Sequence, residues 1–147
     1  MNRKKYCYDY PRPAVTVDLI VLAEKEKDIK ILLIKRKHEP FKGMWALPGG
    51  FVDENEDLPD AALRELKEET GIENAKLLQI GTFGKPGRDP RGHTVAVVYL
   101  AKVNENIVFN AGDDAAEANW FFFGKIPNLA FDHNEIVDFF YDMISSD

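Results

Sequence analysis

The sequence predicts a mixed β-sheet between helices, in the α+β class. Five runs rich in β-branched, aliphatic or aromatic residues read as strands, and two stretches carry helical periodicity. The two patterns do not alternate regularly, which argues against a doubly wound parallel sheet.

Ala14–Ala23, AVTVDLIVLA, and Ile29–Arg36, IKILLIKR, are separated by a charged connection and read as a hairpin. HEPFKGMWALPGG is punctuated by Gly and Pro and reads as loop. A helix is expected to begin near Leu58 and Pro59, because Asp57 can cap it and Pro is tolerated in a first turn. Gly71 ends it. Leu63 and Leu66 are expected to face the core, roughly opposite the helix's carboxylates. Lys76–Phe83 and His93–Val103 read as further strands, joined by GKPGRDPRG, a loop with three Gly, two Pro and two Arg. Ala118–Phe123, ANWFFF, is expected to be a buried strand. DHNEIVDFFYDMIS opens with a capping box of Asp132 and Glu135 and places Ile136, Phe139, Phe140, Met143 and Ile144 at helical spacing, an expected core stripe.

With 147 residues, one domain over 1–147 is expected, with residues 1–13 as an N-terminal appendage. Hydrophobic residues at 45% and charged residues at 30% give a globular composition. No apolar run approaches the roughly 20 residues of a spanning helix, and the basic start lacks the apolar stretch of a secretory signal. The lone Cys7 forms no internal disulfide and offers no zinc-ligand spacing; a buried position is expected for it. These features place the protein in the cytoplasm, away from membranes. A net charge of −6 disfavours nucleic-acid binding.

Gly49–Ile72, GGFVDENEDLPDAALRELKEETGI, packs eight carboxylates and two basic residues into one turn and one helix. Glu65, Glu68 and Glu69 stand at i, i+3 and i+4, which at about 100° per residue puts all three in one sector of the helix surface. Like charges at those spacings repel. A cation set against them removes the penalty, and oxygen ligands favour a hard divalent ion such as Mg²⁺.

The same stretch resembles the signature of the Nudix hydrolases: Gly50, five residues, Glu56, seven residues, then RELKEETGI from Arg64 to Ile72. The segments KRKHEPFKGMWALPGGFV, GRDPRGHTVAVVYLA, GDDAAEANWF and LAFDHNEI are similar to the ADP-ribose pyrophosphatase branch. The resemblance implies an α/β/α sandwich whose box forms loop, helix and loop. It implies hydrolysis of a nucleoside diphosphate linked to another moiety, with Mg²⁺, or Mn²⁺, as cofactor. It implies that Glu65 and Glu69 are the principal metal ligands, Glu68 a further ligand or partner, and the Gly49 carbonyl a backbone ligand. Gly50 and Gly71 would be structural, and Glu56 and Arg64 an ion pair fixing loop to helix.

Outside the box, Glu117 is the candidate general base or extra ligand, with Asp113 and Asp114 competing and an ordinary acidic loop residue as the equal alternative. Arg36, Arg88 and Arg91 are candidates to grip phosphate or ribose through forked hydrogen bonds, Arg88 first. Pro86 and Pro90 straddle the place where the branch commonly carries a proline. Trp45 and Phe83 are candidates to stack on adenine, with core packing the alternative. His93 and His133 read first as hydrogen-bonded structural residues. Phe131 and His133 belong to the LAFDH likeness, with no physical role evident from sequence.

The leading expectation is a pyrophosphatase splitting ADP-ribose into AMP and ribose 5-phosphate. Its alternatives are another substrate (a nucleotide sugar, a dinucleotide or an oxidised nucleoside triphosphate) or a non-catalytic sensor of ADP-ribose-type ligands. The sequence ends at Asp147, directly after the last expected helix, so an appended DNA-binding domain is not expected. A homodimer is expected, with Tyr6, Tyr8, Tyr10 and Pro11 offered to the partner, and closure of the same residues over their own domain the alternative.

Overall fold

The structure is a computed structural model, and it describes residues 5–25, 27–104 and 115–146. The described elements run β1 (Ala14–Lys25), β2 (Asp28–Arg36), β3 (Trp45–Ala46), β4 (Gly49–Phe51), α1 (Leu58–Thr70), β5 (Leu77–Phe83), β6 (Thr94–Lys102), β7 (Ala115–Phe122), a 3₁₀ turn (Phe123–Lys125) and α2 (His133–Ser145). The architecture is α+β, a mixed sheet with a helix on each face.

β1 is the central strand. It runs parallel to β6 from Ala14 to Leu22, and β6 in turn pairs antiparallel with the edge strand β5. On its other side β1 changes partner along its length. Leu22–Glu24 pair with Ile29–Ile31 of β2, whereas Thr16, Val17 and Asp18 pair with Phe51, Gly50 and Gly49 of β4. β2 likewise leaves β1 and pairs Ile34 and Lys35 with Ala46 and Trp45 of β3, while β7 covers its far edge. The sheet therefore forks between β1 and β2, and the chain from Trp45 to Phe51 fills the opening.

β1 is nearly continuously apolar because it is covered on both faces. Val17, Leu19 and Val21 share one cluster with Leu32, Val97, Tyr99 and α1 residues Ala61, Ala62 and Leu66. Ile20 and Leu22 share the other with Ile31, Leu33, Val98 and α2 residues Ile136, Val137 and Phe140. Successive side chains alternate faces, so Asp18 has the parity of the α2 face. Leu66 is fully buried, which contributes about 2 kcal/mol by area alone.

Helix α1 starts and stops where expected. Asp57 accepts from the Leu58 N–H at 2.8 Å, and Gly71 adopts φ +77° while donating to the Lys67 carbonyl at 2.8 Å.

Several expectations are corrected. Leu63 is half-buried, and the buried face of α1 is Ala61, Ala62, Glu65, Leu66, Glu69 and Thr70, so two glutamates share it with the core. The Gly/Pro loop contains the short strands β3 and β4, made possible by the fork rather than by propensity. β7 is half-exposed, with Phe122 open to solvent, because no helix of the described residues covers it fully. In α2 only His133, Ile136, Val137 and Phe140 are buried, while Phe139, Met143 and Ile144 are 44%, 39% and 36% exposed. Cys7 is exposed. Asp132 makes no side-chain cap, because its carboxylate is taken by Arg88.

Candidate functional site

β4 threads between β1 and α1, and only glycine fits there. A Cβ on Gly49 would collide with the Val17 carbonyl and lie 2.5 Å from Asp18 Oδ1. One on Gly50 would lie 2.5 Å from Glu65 Oε1. The two glycines thus let α1's glutamates close on the mouth of the fork.

Glu69 is the deepest of the three glutamates at 4% exposed, Glu65 is 7% exposed, and Glu68 faces solvent. The Gly49 N–H donates to Glu69 Oε1 at 3.4 Å. Glu69 Oε2 is buried with no hydrogen-bond partner among the described residues. Burial raises the Glu65 and Glu69 carboxyls above the ordinary range, and at Glu69 the Glu65 charge adds to it.

Arg64 organises the rim. Its Nε and Nη2 donate to Glu56 at 2.7 and 2.9 Å, its Nη2 also to the Phe51 carbonyl, and its Nη1 to Glu65 at 2.8 Å and Glu68 at 3.2 Å. Glu56 also accepts from the Asp53 N–H, and these bonds, those from Arg64 first, hold its carboxyl down at about 2. Loop, strand β4 and helix are joined at one guanidinium.

The opposite side of the site hangs on α2. The buried His133 accepts the Leu47 N–H at Nδ1, 3.1 Å away, so the proton of its neutral ring sits on Nε2. That nitrogen lies 3.7 Å from Asp18 Oδ2. Burial holds the imidazole down at about 3 and pushes the Asp18 carboxyl up to about 7. Arg88, 4% exposed at its side chain, grips Asp132 through two bonds of 2.9 and 2.6 Å and ties the β5–β6 loop to α2.

Asp18, Gly49, Gly50, Arg64, Glu65, Glu69, Arg88 and His133 open on one cavity of about 440 Å³, with Glu56 and Asp132 behind its lining. Its lining brings together the α1 side, with Glu65, Glu68, Glu69, Asp53 and Arg64, and a set of arginines, Arg36, Arg88 and Arg91, with Asp18 and Asp89 among them. Other expected residues sit elsewhere. Trp45 packs edge-on against Phe121 and Phe83 against Phe139, so each satisfies its ring in the protein and neither lines the cavity. Glu117 lies on β7 at 3.8 Å from Lys35, also outside the lining. Asp113 and Asp114 lie outside the described residues. His93 bonds the Gly84 carbonyl at 2.9 Å and holds its own loop. Asp18 was missed, although a carboxylate inside a β-branched run is itself a signal, since burying a charge is costly without a purpose.

A divalent cation fits this oxygen-rich donor set, and the unpartnered Glu69 Oε2 is the observation that favours it. Glu65, Glu69 and the Gly49 carbonyl would hold it. Arg64 draws both Glu65 and Glu68 onto itself, and among the described residues no group of three His, Cys, Asp or Glu side chains is arranged to hold an ion.

The NUDIX domain model matches residues 12–140. The chain is 49% identical over 134 residues to an ADP-ribose pyrophosphatase of Methanocaldococcus jannaschii, covering 91% of this chain and 76% of that protein. It is 38% identical to an ADPR responsive transcriptional repressor of Acinetobacter baylyi, with 88% of this chain covered but 53% of the repressor's length. Among solved structures, the NUDIX domain of Shewanella oneidensis NrtR complexed with ADP ribose superposes with a TM-score of 0.83 at 31% identity, covering 93% of this chain and 94% of that one. A family model over most of the chain, and a relative 49% identical over 91% of it, lead to one conclusion: this chain belongs to the Nudix family.

Proposed function

We propose that this protein is a Nudix hydrolase that splits ADP-ribose into AMP and ribose 5-phosphate. The observation that carries the reading is one cavity lined by both the α1 glutamates and three arginines, in a chain 49% identical to an ADP-ribose pyrophosphatase. A diphosphate is anionic and needs arginines to bind, while the glutamates need a cation to be tolerated beside it. We assign that cation as Mg²⁺, with Mn²⁺ able to replace it. When bound, it neutralises phosphate oxygens, stabilises the leaving oxygen and lowers the pKa of water.

The chain's own residues do the rest. Arg64 holds Glu65 and Glu68 at the rim and fixes them relative to β4. Arg36 and the exposed edge of Arg91 supply the positive charge that draws the diphosphate inward, while Arg88, whose fork is taken by Asp132, lines the cavity and holds the β5–β6 loop in place. His133, neutral and donor-only at Nε2, keeps the β3–β4 turn in place and faces Asp18 without adding charge.

Turnover of a nucleotide panel with Mg²⁺ tests the reading. ADP-ribose should lead NADH, nucleotide sugars and oxidised nucleoside triphosphates by at least about tenfold in kcat/KM, near 1.4 kcal/mol of transition-state binding. Absence of turnover on the whole panel would move the protein to a ligand-binding role. The Acinetobacter repressor and the ADP-ribose-bound NrtR domain favour that second reading. The proposal extends to a cytoplasmic homodimer, supported by the exposed Tyr6, Tyr8 and Tyr10 near the N-terminus. Light scattering showing a monomer alone at micromolar concentration would remove the dimer.

A further inference from the structure

The segment from Leu129 to His133 is pinned on both sides of Phe131. Leu129 bridges to Trp45, and the Ala130 N–H donates to the Trp45 carbonyl at 2.8 Å. Asp132 is held by Arg88 and His133 by the Leu47 N–H. Between these anchors Phe131 adopts φ +54°, a conformation that bulky L-residues rarely occupy. Such a backbone persists only where its surroundings over-determine it, and it concentrates at functional positions.

The result is a ring set in the cavity wall. Phe41 packs edge-on against it, with centroids 4.8 Å apart. The guanidinium carbon of Arg36 lies 4.8 Å from the ring centroid and that of Arg91 lies 5.4 Å from it, both within cation–π range. Each arginine is also tethered by one edge. Arg36 donates Nε to the Pro40 carbonyl at 2.7 Å, and Arg91 donates Nε and Nη2 to the buried Asp89 at 3.1 and 2.8 Å. Two cations share one ring, and Arg36 is less basic than usual, through burial and then through the Arg91 charge. An anion between them would relieve that repulsion.

We propose that Phe131 is a positioning residue: its ring spaces Arg36 and Arg91 into a pair that grips one phosphate of the substrate. It acts on binding through the arginines and not on the bond broken. The inference rests on the phosphate-bearing substrate proposed above. The bland alternative is a hydrophobic filler for the small cluster of Ile34, Ala46, Ala115 and Ala130, a role that leucine would largely serve.

The test compares wild type, Phe131→Leu and Phe131→Tyr in steady-state turnover of ADP-ribose with Mg²⁺. Calorimetric titration of ADP-ribose into the same three variants on a Glu69→Gln background adds a readout independent of turnover. Phe131→Leu should raise KM and weaken binding about tenfold, about 1.4 kcal/mol, with kcat within about twofold. Phe131→Tyr should restore both. In an Arg36→Gln background the effect of Phe131→Leu should shrink to about threefold or less, because the ring then has one arginine fewer to place. Where Phe131→Leu does not fold, Phe131→Met keeps the volume without the ring and carries the same expectation. An unchanged KM, a fall in kcat and thermal stability alone, or a full effect in the Arg36→Gln background would overturn the proposal. Absence of wild-type turnover with binding still weakened by Phe131→Leu would remove the hydrolase reading and leave the positioning role standing. Loss of both turnover and binding in the wild type would remove both.

Discussion

Glu69 Oε2 is buried and has no hydrogen-bond partner among the described residues, an arrangement that costs stability unless something cationic meets it. Glu69→Gln should therefore lower kcat by at least about a hundredfold, since even residues that merely support metal ligands cost 10–100-fold. The fold should not suffer. Calorimetry in the absence of divalent ions should give a melting temperature equal to or above wild type, because burial and the neighbouring Glu65 already disfavour ionising the carboxyl that the substitution removes. A destabilised variant would mean that the carboxylate has a structural partner after all. The grouping of Glu65, Glu68 and Glu69 was legible from their spacing. Their division into two buried and one exposed was not, because it depends on how β4 and β1 close over the helix.

At the scale of elements, β4 is three residues long and its glycines face different neighbours. A methyl at Gly49 meets the backbone carbonyl of Val17, which has nowhere to move, whereas one at Gly50 meets the far end of the Glu65 side chain. Gly49→Ala should thus destabilise the protein by about 2 kcal/mol or more. Gly50→Ala should cost less than about 1 kcal/mol yet lower activity about tenfold or more, because Glu65 must move aside. Urea unfolding and turnover measured on both variants separate the two outcomes. The loop before α1 carries a pH signature. Glu56 titrates near 2 when folded, against an ordinary value of 4.5, so its contribution is complete above pH 4.5 and is lost as pH falls through 2. Glu56→Gln should cost about 1 kcal/mol at pH 7, the size of a well-formed surface pair. That gap should close on acidification from pH 4.5 toward 2, in urea titrations at each pH. A gap that stays constant would show that Arg64 does not hold Glu56 through its charge. Strand β4 was not legible, for its Gly and Pro neighbours argue for loop and it forms only because the sheet forks. α2 shows the reverse error. Its apolar stripe predicts burial throughout, but the stripe continues past the sheet it covers, and Phe139, Met143 and Ile144 emerge into solvent.

At the scale of the whole molecule, the proposed cation couples binding to stability. A cation bound only by the folded chain stabilises it by about 1.4 kcal/mol at ten times its Kd, which for a chain of this size raises the melting temperature by roughly 3–6 °C. Mg²⁺ should produce such a shift in wild type and a much smaller one in Glu69→Gln, read by differential scanning calorimetry. Equal shifts in both would place the cation elsewhere. The five longer strands, the two helices and the mixed sheet were legible because composition, periodicity and turn residues act locally. The pairing of distant parts was not. Asp18 meets His133, and Arg88 meets Asp132, across 115 and 44 positions of chain.

The fork between β1 and β2 divides the molecule's labour. The glutamates, Gly49 and Asp18 stand on strands and a helix whose register is fixed by ladder hydrogen bonds. The arginines stand at the end of β2 and on the β5–β6 loop, where chain length and sequence are free to vary. Grafting residues 84–93 from a relative of different substrate preference should thus redirect what the protein accepts and leave its affinity for the cation untouched. A lineage carrying such a frame can exchange its vocabulary of substrates while keeping a single grammar of bond cleavage.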